Sequence, residues 1–210
     1  MLYPSTTRLA RVLTAAAMLA ALTGISTSAR GEGKETAVEG GLSADGRYEL
    51  RRVSSPTPEF VRLVDTRTGE EVGRLPLGRP RLPDADAPPC EVVWHPDGQW
   101  FALLDHEHKM STTLALYALH QGKPVRLPVP DYIQNALGRV DATEATLPCL
   151  SKAGLWNGDD LNVILIFNAP GRDGKWVMHN AVANLRVVPK GSGRLPEVKL
   201  AGVTIVEKGR

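Results

Sequence analysis

The sequence predicts an all-β fold of repeated antiparallel sheets, and three observations carry that prediction. First, the stretch His95-Pro96-Asp97-Gly98-Gln99-Trp100-Phe101-Ala102-Leu103-Leu104-Asp105 has a weaker copy upstream, Ser43-Ala44-Asp45-Gly46-Arg47-Tyr48-Glu49-Leu50, so an Asp-Gly pair recurs at an offset of 52 residues. Such a pair supplies the positive φ that a tight inter-strand turn demands, and the aromatic and apolar residues after it suit a half-buried strand. Second, 16 prolines and 20 glycines favour many short strands joined by turns. Third, helical periodicity is scarce, with one short helix expected near residues 131–138. A repeated unit cannot easily bury its own apolar face, so the sheets are expected to stack side by side.

In chain order, residues 1–29 read as a signal peptide. Arg8 and Arg11 form a short basic region, Val12 to Leu22 is apolar or small apart from Thr14, and Thr27-Ser28-Ala29 offers small residues for cleavage after Ala29. Eleven helical residues rise only about 16 Å, too little for a hydrocarbon core of about 30 Å. Residues 30–40, rich in Gly, Glu and Lys without apolar periodicity, read as a flexible leader, and 41–210 as a single β-rich domain.

The first unit follows the leader. Tyr48 to Val53 is a strand, Ser54 to Pro58 a turn, Phe60 to Asp65 a strand, Thr66-Arg67-Thr68-Gly69 a hairpin loop and Glu71 to Leu75 the returning strand. A linker rich in Pro, Asp and Arg spans 79–89. The second unit repeats the plan with Glu91 to Trp94, Trp100 to Leu104 and Thr113 to Leu119, and His120-Gln121-Gly122-Lys123 takes the hairpin position. In the third unit Asp131 caps the short helix, with Ile133, Ala136 and Leu137 on one side and Gly138 ending it. Cys149 to Trp156, the turn Asn157-Gly158-Asp159-Asp160 and the strand Leu161 to Phe167 follow. Arg172-Asp173-Gly174-Lys175 makes a loop, Trp176 to Val188 one long or two short strands, and Val198 to Val206 the last strand.

Loss of residues 1–29 removes two of the 25 basic side chains and no acidic one, leaving 23 against 23 Asp and Glu. A balanced chain has no whole-molecule field to attract nucleic acid or an anionic membrane, and no later segment is long and apolar enough to span one. Export would expose Cys90 and Cys149 to an oxidising compartment, periplasmic or extracellular. Each follows a proline and precedes a tryptophan, at matching points of neighbouring units. A disulfide between them would close a loop of nearly sixty residues, worth about 4 kcal/mol in the loop-entropy account. Two independent buried thiols are the alternative.

His95-Pro96-Asp97-Gly98 with Trp100 to Leu104, Ser43-Ala44-Asp45-Gly46 with Tyr48, and Leu63-Val64-Asp65-Thr66-Arg67-Thr68-Gly69 resemble the blades of a β-propeller of the WD-repeat or Tol-type kind. The resemblance covers about residues 40–127. It implies a partial β-propeller-like array of three to four blades at about 40 to 50 residues each, capped by the short helix or completed by another subunit.

Chemistry-bearing residues are sparse. Asp105-His106-Glu107-His108 is the densest set of potential metal ligands. On a strand His106 and His108 would share a side with Asp105 or His95 nearby, but the set falls where a hairpin loop is expected, and two histidines do not complete a tetrahedral zinc shell. Asp84-Ala85-Asp86 lacks the further ligands of a calcium loop. Gly171-Arg172-Asp173-Gly174-Lys175 lacks the spacing of a phosphate loop, and Gly191-Ser192-Gly193 the context of a nucleophile elbow. Trp94, Trp100, Trp156 and Trp176 fall at matching places in the units, as packing residues would. No catalytic residue and no cofactor is assigned. The expected function is an exported, non-enzymatic binding or scaffold protein with a protein partner, engaged through loops at one end of the sheets, with oligomer formation left open. The alternative is a metal-dependent or carbohydrate-active secreted enzyme using the 105–108 loop.

Overall fold

A computed structural model of the chain describes residues 34–54, 59–77, 90–108, 111–140, 146–170 and 174–206. Among them are twelve strands and one helix, so the fold is all-β as expected. The strands are β1 (Lys34–Leu42), β2 (Tyr48–Ser54), β3 (Phe60–Asp65), β4 (Glu71–Pro76), β5 (Glu91–Trp94), β6 (Trp100–His108), β7 (Ser111–His120), β8 (Lys123–Leu127), β9 (Thr146–Asn157), β10 (Asp160–Pro170), β11 (Trp176–Val188) and β12 (Glu197–Val206), with the helix α1 (Tyr132–Arg139) between β8 and β9. The expected signal peptide at 1–29, the linker at 79–89, most of the turn at 54–58 and the start of the loop at 171–175 lie outside the described residues.

The strands fall into three antiparallel meanders of four, β1–β4, β5–β8 and β9–β12, each in chain order. A parallel bridge between Glu39 of β1 and Glu91 of β5 joins the first two edge to edge. Gly40, at φ 68°, permits this approach, because a Cβ there would lie 2.1 Å from the Val92 carbonyl oxygen. Two indoles, those of Trp94 and Trp156, cross between meanders.

Burial accounts for the apolar runs of the middle meander. Along β6, Phe101 and Leu103 face a core shared with Leu50, Leu63 and Leu75 of the first meander. Ala102 and Leu104, pointing the other way, face a core shared with Leu161, Leu165 and Leu185 of the third. β7 repeats the division, with Ala115 and Tyr117 on one side and Leu114, Leu116 and Ala118 on the other. A strand buried on both faces reads as continuous hydrophobicity; β10 is as continuous in sequence from Val163 to Phe167, but its burial alternates, with Leu161, Val163, Leu165 and Phe167 buried and Ile164 exposed. Each fully buried Leu contributes about 1.5–3 kcal/mol of burial free energy.

Four expectations need correction. Of the expected flexible leader at 30–40, residues 30–33 lie outside the described residues and 34–40 belong to β1. Its only buried residues are Val38 and Gly41, and it is held by backbone pairing to β2 and by Glu35, which bridges Arg51 and Arg62, so it carries no apolar period. β8 was not expected as a strand because Pro124 and exposed Lys123 leave it only Leu127 as a buried anchor, a composition that suits the edge position it holds. The helix begins as expected, with the Asp131 carboxylate accepting the Gln134 backbone N–H at 2.9 Å, but Gly138 lies inside it and Val140 is its C-cap. It buries Tyr132, Ala136 and Leu137 against the third-meander core, with Ile133 at the margin. Trp176, expected in a packing role, is 55% exposed at the start of a single long β11.

Candidate functional site

The turns that start each meander converge. The β1–β2 and β5–β6 turns are built alike: Ser43 N–H donates to Tyr48 O and His95 N–H to Trp100 O, both at 2.9 Å, while Gly46 and Gly98 N–H donate back to Ser43 O and His95 O. In each, an Asp side chain accepts the backbone N–H two residues on, Asp45 from Arg47 at 3.0 Å and Asp97 from Gln99 at 2.8 Å. The two turns lie side by side, for Asp45 Oδ1 is 3.6 Å from where a Cβ on Gly98 would be. The third meander starts with the shorter Gly158–Asp159 hairpin between β9 and β10, Asn157 pairing with Asp160.

His95 ties the second turn to the third. Its Nε2 is 3.1 Å from Gly158 O, and since a carbonyl only accepts, Nε2 carries the proton of this contact. Nδ1 lies 2.7 Å from Asp97 Oδ1, and Asp159 Oδ1 stands 4.0 Å from Nε2. The ring is buried between Trp100 at 4.6 Å and Trp156 at 5.0 Å, the latter meeting it edge-on. Three turns from three meanders thus form one continuous rim. Carboxylates on and near it are held below their ordinary pKa. The Ser43 hydroxyl and the Arg47 N–H lower Asp45, the Arg67 backbone N–H and then Arg47 lower Asp65, and the Arg186 guanidinium, at 2.7 Å, lowers Asp160.

Beside the rim, a crevice of about 170 Å³ opens between the second and third meanders. Its walls include Gln99, Trp100 and His120 from the second, and Lys190, Arg194 and Leu195 from the β11–β12 loop. Lys190 Nζ is 3.0 Å from Glu197, whose carboxyl it holds below the usual range.

The residues singled out in the sequence are distributed differently. β6 runs on to His108, so Asp105 to His108 lie on a strand where a loop was expected, and the β6–β7 register shifts between Asp105 and His108. Asp105 is buried; the side chains of His106, Glu107 and His108 are outside the described residues. Among the described residues no three His, Cys, Asp or Glu side chains converge as a metal site would require. Cys90 is buried in the first-meander core and Cys149 lies on β9 with its side chain outside the described residues. Gly191-Ser192-Gly193 sits in a turn that leads to β12, not to a helix. No helix among the described residues is long and apolar enough to cross a membrane. The crevice residues Lys190, Arg194 and His120 escaped the sequence reading because the end of β7 and a loop some seventy residues later supply them; the repeat offset, which aligns meander ends, is the signal that pointed toward this end. No family model matches the chain, no curated protein matches it, and no solved structure matches it.

Proposed function

We propose that the protein is an exported, non-enzymatic, β-propeller-like binding or scaffold protein that holds a protein partner on the rim formed by its inter-strand turns. The observation that carries this reading is the convergence of the β1–β2, β5–β6 and β9–β10 turns, with Asp45 beside Gly98 and His95 joined to Gly158. Loops fixed by stacked sheets present side chains without an ordering cost, which favours recognition of a partner. The propeller likeness is supported by four-stranded meanders in chain order, the parallel bridge between the first strands of two of them, and matching turns 52 residues apart. The expected destination is the periplasm or the exterior, with cleavage after Ala29 and a Cys90–Cys149 disulfide tying the start of β5 to β9.

The test is cross-linked pull-down from envelope extracts with wild type and with a variant reversing charge on two turns, Arg47→Glu with Asp159→Lys, both exposed side chains. A specific protein retained by the wild type and lost by a variant of native circular dichroism supports the reading. Capture of nothing beyond a control, or equal capture by both, overturns it. Intact mass checks the rest: a mature chain starting at Arg30, two protons lighter before reduction than after.

A further inference from the structure

We propose that the crevice between Trp100 and the β11–β12 loop seats a single carboxylate of the partner polypeptide, with an adjoining apolar residue laid on Trp100; this rests on the partner-binding reading above and names the chemistry of its contact. Charge points to the ligand. Every ionisable group lining the crevice is cationic or an imidazole (His120, Lys190 and Arg194) and no carboxylate lines it. Glu197 already engages Lys190, but among the described residues no carboxylate is paired with Arg194. A guanidinium fork offers a carboxylate two parallel hydrogen bonds, the geometry in which Arg exceeds Lys.

Size and wall chemistry narrow the choice. A volume of about 170 Å³ is below that of a pocket enclosing a whole small-molecule ligand, and suits one inserted side chain. Leu119, Leu195 and Pro189 add an apolar margin next to the Trp100 indole, which is backed by His95 at 4.6 Å and so is held in place. An anionic head on an apolar neighbour is the chemistry of an acidic residue in a polypeptide. A nucleic acid draws its affinity from a row of phosphates, and this crevice offers one position.

The probes are two acetylated, amidated tetrapeptides, Leu-Pro-Glu-Leu and Leu-Pro-Gln-Leu, titrated into the full mature chain while the Trp100 indole and the Arg194 side chain are followed by NMR. The glutamate peptide is expected to shift both signals saturably, and the glutamine peptide to bind at least about tenfold more weakly, the worth of one charge-assisted hydrogen bond. Arg194→Gln, an exposed loop position, is expected to weaken the glutamate peptide by a similar factor with an unchanged melting curve. Equal binding of the two peptides, or unaltered binding by Arg194→Gln, overturns the proposal. So does tighter binding of inorganic phosphate or of a single-stranded oligonucleotide at matched ionic strength. If the pull-down partner is captured equally by wild type and Arg194→Gln, this seat is excluded while the partner-binding reading stands. If no partner is captured, that reading fails and the peptide titration still decides the crevice.

Discussion

Trp94 and Trp156 make the same contact one meander apart: each donates its indole N–H to a backbone carbonyl on the first strand of the preceding meander, Trp94 to Gly41 at 3.1 Å and Trp156 to Val93 at 3.2 Å. Replacing either by Phe keeps most of the apolar ring and removes the donor, leaving a carbonyl without its partner. Each substitution is expected to lower stability by about 1–2 kcal/mol in urea denaturation. The Val93 carbonyl belongs to the peptide bond that leads into Trp94, so the two sites adjoin, and the double variant is expected to depart from the sum by at least about 0.5 kcal/mol. A strictly additive double variant would mean that the two contacts act independently although they meet at β5.

Gly40 and Gly46 have the same φ, 68°, but different surroundings. A Cβ on Gly46 meets nothing within 4 Å, whereas one on Gly40 would collide with the Val92 carbonyl. Gly46→Ala should therefore cost only the left-handed strain of about 1–2 kcal/mol. Gly40→Ala should cost at least about 2 kcal/mol more, because the β1–β5 bridge must shift. Urea midpoints for the two variants measure the difference; equal midpoints would show that β1 and β5 do not approach this closely.

The architecture was legible where apolar runs and glycine turns coincide, and obscure where strands are held by other means. Phe101 to Leu104 announced a strand because both its faces are buried, and β10 because Leu161 to Phe167 is the most hydrophobic stretch of the domain, of which Leu161, Val163, Leu165 and Phe167 are buried. β1 gave no such signal, since ion pairs from Glu35 and backbone pairing hold a strand of mostly exposed residues. The Asp-Gly offset located the rim, since a turn's own residues fix its hydrogen bonds. The crevice was invisible because its two walls, Trp100 and His120 on one side and Lys190 and Arg194 on the other, are brought together only by stacking of the second and third meanders.

Acid should weaken the fold in a defined window. Asp45, Asp65, Asp160 and Glu197 all have carboxyls held below their ordinary values in the folded chain. Below the ordinary carboxylate pKa of about 4 the unfolded chain takes up protons first, so stability is full above that pH and is lost as the pH falls through the lowered folded values. Asp160→Asn removes the pair with Arg186, whose side chain is exposed, so less than about 1 kcal/mol should be lost at pH 7. Its melting temperature should then fall less steeply than wild type as the pH drops below about 4. A parallel decline would show that Asp160 is not among the groups that titrate with unfolding.

Zinc supplies a test of the 105–108 segment. With β6 continuing to His108 and the register shifting after Asp105, strict alternation no longer guarantees that His106 and His108 share a side. Two histidines and one buried carboxylate also fall short of a tetrahedral shell. Calorimetry on tag-free protein is expected to show no zinc or nickel uptake, and a site abolished by His106→Ala with His108→Ala would put the enzyme alternative ahead of the binding-protein reading.

Leu103 and Leu104 are neighbours in sequence and belong to different cores. The pleat of β6 turns Leu103 toward the first meander and Leu104 toward the third, and both are buried. Truncation to Ala should cost about 2–5 kcal/mol at either position, so global stability alone does not separate them. Hydrogen exchange does, because a cavity loosens the strands that lined it before it loosens the rest. Leu103→Ala is expected to speed exchange in β2 and β3, where Leu50, Val61 and Leu63 lose a partner, and to leave β10 and β11 close to wild type. Leu104→Ala should do the reverse, loosening the strands that carry Leu165 and Ala183. If both variants accelerate the same amides, the middle meander does not separate two cores, and the stacked arrangement that positions the rim and the crevice is wrong.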